Sequence, residues 1–159
     1  MDAEKFTKKS LEVIESCEKL AYEYNNQELT QAHLMYALVT VEDSLIAKLL
    51  TNMGINMDAF TGECEKLVAN RPKVSGGQLF TSPEFSKALI QAEKEAKQMG
   101  DDYISVEHIF LGLLEKADKD IKRVINAYGI TRGKFLEVLA NIRGNRKVES
   151  DNPEDTYDA

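Results

Sequence analysis

At 159 residues, 43% hydrophobic and 30% charged, the chain has the size and make-up of one globular domain with a single good core. A formal net charge of −7 without a basic stripe argues against nucleic acid or a membrane surface as partner. No apolar run approaches the ~20 residues needed to cross a bilayer, and the opening MDAEKFTKKS lacks the apolar stretch of a signal peptide.

The chain reads as all-α, with helix ends that can be named. Thr7 caps the first helix, with Phe6 before it and Leu11 at the fourth helical position as a hydrophobic staple. Leu11, Ile14, Cys17, Ala21 and Tyr24 then keep helical spacing. Thr30 caps the second helix and Asp43 the third, which ends at Gly54. Asn56 caps a fourth helix carrying Phe60 and Leu67. A turn-rich connector, Asn70 to Gly77, follows. Ser82 and Pro83 open the fifth helix, whose stripe is Phe85, Leu89, Ala92, Ala96 and Met99. Ser105, Asp118 and Thr131 cap the sixth, seventh and eighth, the last bearing Phe135, Leu139 and Ile142. Strand signals are absent. After Gly144 the period stops, and NRKVESDNPEDTYDA sets five acids against two cations; a mobile tail or interdomain linker is expected over 145–159.

The eight helices are two copies of four. A shift of 75 residues lays LTQAHLMYAL (Leu29–Leu38) on ISVEHIFLGL (Ile104–Leu113). His33 then meets His108, Ile46 meets Ile121, Gly54-Ile55 meets Gly129-Ile130, and Phe60 meets Phe135. One register kept this long marks an internal duplication, with repeats at about 5–69 and 80–143 inside a domain spanning 1–144.

The search for chemistry is nearly empty. There is no phosphate-cradling glycine loop, no Cys pair with zinc spacing, and the two histidines lie 75 residues apart. Each histidine falls three residues after an N-cap, where its ring serves the helix start as Glu does in a capping box. A hydrolase using His108 with Glu107 has poor geometry, because helix neighbours point about 100° apart. Cys17 and Cys64 sit in helical patterns and suit a reducing cytosol as small buried groups; no disulfide is expected. The halves differ more tellingly than they agree. Asp101 and Asp102 stand opposite Asn26 and Gln27, and Glu107 opposite Ala32. Glu107 serves the helix dipole, or with Asp101 rims a polar partner groove. Leu79 and Phe80, apolar residues ending a Gly-rich linker, either tuck between the halves or line an exposed patch.

LTQAHLMYAL, NRPKVSG and GDDYISVEHIFLGLLE together resemble the N-terminal domain of the Clp family of ATP-driven unfoldases, from Phe6 to about Arg143. AHLMYAL, the connector and the acidic DNPEDTYDA stretch are most similar to the disaggregase branch, ClpB. The resemblance implies a cytoplasmic stress-response chaperone domain, itself without enzyme activity or cofactor. It would engage unfolded or aggregated polypeptide for a homohexameric AAA+ parent that binds ATP and Mg and works with a DnaK-type system. The isolated domain would be a monomer, and 145–159 an acidic linker toward the ATPase module. Residue by residue, the family's substrate contacts match Thr7, Asp101 and Glu107, while Gln91 and Glu95 stand where relatives carry leucines. The rival expectation is an adaptor dock of ClpC or ClpA type serving a protease.

Overall fold

The structure, a computed structural model, describes residues 2–154; Met1 and residues 155–159, with Asp155 and Asp158 of the acidic stretch, lie outside the described residues. After one 3-10 turn at Ala3–Lys5, the order is α1 (Lys8–Glu23), β1 (Glu28–Leu29), α2 (Gln31–Thr40), α3 (Leu45–Asn52) and α4 (Met57–Ala69). Then come β2 (Phe80–Thr81), α5 (Pro83–Gln98), α6 (Val106–Glu115), α7 (Lys119–Ala127) and α8 (Arg132–Arg143). The fold is all-α, and the duplication is a pseudo-twofold.

Most predicted caps form. The side chains of Thr7, Asn56, Ser82, Asp118 and Thr131 each accept the N–H three residues on. Gly54 and Gly129 end α3 and α7 at φ +85° and +65°, where a side chain would be strained. Asp43 does not cap α3. It takes a left-handed φ of +53° to turn the chain, and Ser44 caps instead, accepting from Ala47 N–H at 3.0 Å while donating to Leu38 O at 2.6 Å. On α1 the fully buried positions include Ser10 and Val13, and Leu11 and Ile14 are only partly covered.

Two short strands also form where none was expected. β1 and β2 pair in parallel, Glu28 with Phe80 and Leu29 with Thr81. The same contact recurs 75 residues away as a single bridge from Phe6 to Ile104. Their role is positional: Ser82 N–H donates to Leu29 O at 2.9 Å, and Thr7 N–H to Ile104 O at 3.0 Å. Each bond clamps the start of one long helix to the residue before the N-cap of the other half's central helix.

α2 and α6 are apolar nearly all round, as helices buried on every side must be. They pack against each other, α2 on α1 and α4, α6 on α5. One continuous core therefore serves both halves. Phe60 meets Tyr128 edge-on across the repeat boundary, ring centroids 5.2 Å apart. Buried Gln31 ties the halves further: its amide donates to Glu84 O and Lys116 O at 2.9 and 2.8 Å and accepts from Asp118 N–H at 2.8 Å.

Candidate functional site

Each central helix begins on a histidine. In α6, His108 Nδ1 accepts from Ser105 N–H at 2.9 Å, so Nε2–H donates to Asp101 Oδ2 at 2.7 Å. In α2, His33 Nδ1 accepts from Thr30 N–H at 3.0 Å, and Nε2–H donates to Asn26 Oδ1 at 2.8 Å. Both rings are fully buried. Histidine thus takes the capping-box role, and its second nitrogen pins the loop before the helix. Burial, and secondarily the Arg71 charge, push His33 down to about 4.

The second half adds charge to this frame. Asp101 Oδ1 contacts Arg143 Nη2 and accepts Val148 N–H at 3.0 Å. Burial alone would raise its pKa, but the bonds from His108, Arg143 and Val148 outweigh it and hold the carboxyl well below the usual range. Glu107, the second residue of α6, is fully buried with neither oxygen hydrogen-bonded; its ion-pair partner is Arg143, at 3.8 Å. The α6 dipole stabilises such a carboxylate by ~0.3–1 kcal/mol.

Thr7 arrives from the other end of the chain, held by its bond to Ile104. Its Oγ1 accepts from Ser10 N–H at 3.2 Å, and its hydroxyl donates to Glu154 Oε2 at 2.8 Å. That same oxygen accepts Val106 N–H at 3.4 Å, while Glu154 Oε1 has no hydrogen bond. Burial, and then the Glu107 carboxylate, push Glu154 up to about 7.

Thr7, Asp101 and Glu107 therefore meet at one place, around Arg143 and under Glu154. At the corresponding place in the first half stand Ser82, Asn26, Ala32 and, for Arg143, Val68. Leu79 and Phe80 are not with them. They lie at that first-half position, beside Gln27 and Glu28, with Leu79 half-buried and Phe80 51% exposed. Phe80, Leu79, Tyr22 and Val74 line adjoining cavities together with polar residues such as Gln27 and Glu28, and Tyr22, Val74 and Phe80 are exposed.

Sequence reasoning missed Arg143, Val148 and Glu154. Arg143 reads as an ordinary cation in a last helical turn, and the other two as part of a polar linker. The segment after Gly144 instead lies on the domain as far as Glu154, with Val148 wholly buried. The polar residues at the groove positions are also accounted for. Glu95 is buried, paired in two bonds with Arg132 at 2.6 and 3.0 Å and accepting from Gln91 at 3.0 Å.

Carboxylate oxygens without donors can accept N–H groups, and two helix starts offer N–H groups of their own. Among the described residues no group of three or more His, Cys, Asp or Glu is placed to hold a metal. Cys17 and Cys64 are fully buried, their thiols pushed up by burial, that of Cys64 to about 12. No described helix is long and apolar enough to cross a membrane.

Residues 5–128 match the Clp repeat (R) N-terminal domain, and the chain belongs to that family. Across its whole length it is 40% identical to the chaperone protein ClpB of Nitratidesulfovibrio vulgaris and 39% identical to that of Clostridium tetani, spanning 19% of each. Its fold matches the Hsp104 N-terminal domain from Candida albicans, with a TM-score of 0.83 at 20% identity over 94% of this chain and 99% of that one. The N-terminal domain of the ClpV1 ATPase from E. coli matches at 0.75 and 15% identity, over 95% and 91%.

Proposed function

We propose that this domain engages unfolded or aggregated polypeptide on behalf of an ATP-dependent disaggregase of ClpB type. Thr7, Asp101 and Glu107 supply the polar contacts, and Leu79 and Phe80 an apolar one. The observation that carries the reading is the convergence of Thr7, from the start of α1, with Asp101 and Glu107, from the approach to α6, at the place where the duplication is broken. A purely structural repeat would need no three-carboxylate, one-guanidinium cluster in one half alone. The whole-length likeness to ClpB chaperones supports the disaggregase reading over an adaptor dock for a protease. The ATPase, its nucleotide and magnesium, its hexamer, its DnaK-type partner and its cytoplasmic setting belong to the longer relatives and are part of the proposal. In the same reading 145–159 leads toward the ATPase module.

The test is an NMR titration of the 159-residue chain with a permanently unfolded protein, reduced and carboxymethylated α-lactalbumin. Shifts are expected to cluster at Thr7, Asp101 and Glu107, with a second set at Leu79 and Phe80. Shifts elsewhere, or none, would sink the assignment.

A further inference from the structure

The segment after Gly144 contacts Thr7 and Asp101 and brings a carboxyl under the influence of the Glu107 charge. Gly144, at φ +60°, turns the chain back over the α5–α6 loop, where Lys147 Nζ donates to Met99 O at 2.7 Å. Val148 buries its side chain, donates its N–H to Asp101 Oδ1 at 3.0 Å, and accepts Asp102 N–H at 2.8 Å. Asp151 O accepts Lys8 N–H, one of the free donors at the start of α1, at 2.7 Å. Glu154 then closes on the Thr7 hydroxyl and on Val106 N–H, the first donor of α6. This is how an extended polypeptide would bind there: an apolar side chain inserted, backbone groups paired, an acceptor at two helix starts.

The first half has the same cover, but built in. Its connector runs over Asn26, where Pro72 O accepts the Asn26 side-chain N–H at 3.1 Å and Val74 N–H donates to Asn25 O at 2.8 Å. That connector is held at both ends by helices. The segment after Gly144 is held at Glu154 by a carboxyl that feels the Glu107 charge and has one oxygen unbonded. A buried acceptor without a donor makes the docking marginal.

We propose that residues 145–154 are a reversible cover over the Thr7–Asp101–Glu107 site, pinned by Glu154, which an incoming polypeptide must displace. The inference rests on the site reading above. The cover lowers apparent affinity by the fraction of molecules in which it is closed.

Two substitutions in the 159-residue chain move the cover in opposite directions. Glu154→Ala removes both of its bonds. Glu154→Gln keeps an acceptor for Thr7 and Val106 and removes the charge that Glu107 opposes. With reduced, carboxymethylated α-lactalbumin as probe, the Ala variant is expected to bind about three- to tenfold tighter than wild type and the Gln variant about twofold weaker or more. Amide resonances of Lys8, Asp102 and Val148 report the docking itself. Undocking in the Ala variant with affinity unchanged overturns the cover, and docking that survives Glu154→Ala overturns Glu154 as its pin. If all three proteins bind the probe with shifts away from Thr7, Asp101 and Glu107, the site reading fails instead and takes the cover with it.

Discussion

His108 and Asp101 share a 2.7 Å hydrogen bond with both side chains fully buried, and Asp101 spends its other oxygen on Arg143. The equivalent His33–Asn26 bond shows that capping α2 needs no charge. Asp101→Asn should therefore preserve the histidine contact yet turn an N–H₂ in place of the carboxylate oxygen toward Arg143 and Val148 N–H, destabilising the fold by about 3 kcal/mol. Adding Arg143→Leu should deepen that loss, because the buried Glu107 carboxylate then loses its ion-pair partner. Urea unfolding measures both; an Asp101→Asn protein as stable as wild type would show that Arg143 does not depend on it.

His33 gives a second, acid-side prediction. Its folded pKa of about 4 lies below the free value of 6.5, so the folded protein binds fewer protons than the unfolded chain. The stability it contributes is complete above 6.5 and lost as pH falls through about 4, by of order 2–3 kcal/mol. Protonated, Nδ1 can no longer accept Thr30 N–H. Gln at this position can still accept from the cap, so His33→Gln should flatten the decline between pH 6.5 and 4 in urea-unfolding midpoints. An unaltered slope would refute the assignment.

Glu154 titrates with the opposite sign. Docked, its carboxyl lies near 7 against an ordinary 4.5, so docking binds a proton. Docking should be strongest below pH 4.5 and weaken as pH rises toward 7. The groups that face it are the Thr7 hydroxyl on α1, and Val106 N–H and the Glu107 carboxyl on α6; Arg143 of α8 lies beyond Glu107 and also holds Asp101, which His108 holds from its other side. Lys8 and Asp102 amide shifts followed from pH 5 to 8 should move in wild type and stay level in Glu154→Gln. Equal curves in the two proteins would contradict it.

Gly112 is where α6 crosses α5 most closely. A Cβ there would lie 2.3 Å from Ala88 O and 3.0 Å from Ala92 N, both backbone atoms that cannot step aside. Gly112→Ala should cost about 1–3 kcal/mol despite alanine's better helix propensity. At the corresponding position in the first half the residue is Ala37, fully buried. Thermal melting that shows Gly112→Ala equal to or above wild type would mean that the two helices separate more readily than their packing implies.

The sequence by itself determined the eight helices, their duplication and nearly all their caps, because these follow from spacings within one helix or one repeat. It also pointed to Thr7, Asp101 and Glu107, through the family likeness, and in the two acids through the break in the 75-residue register. Asp43 was misread because its role in the register conceals a one-residue shift, which the left-handed turn and Ser44 absorb. Tertiary structure alone decided what those site residues touch. Arg143, Val148 and Glu154 have no periodicity that marks them, and each matters through a partner 36 to 147 positions away. It also separated Leu79 and Phe80 from the polar cluster, since the pseudo-twofold carries the connector to one end of the molecule and Thr7 to the other. Local propensity decides where helices begin; which buried carboxylate meets which guanidinium depends on how the finished halves pack.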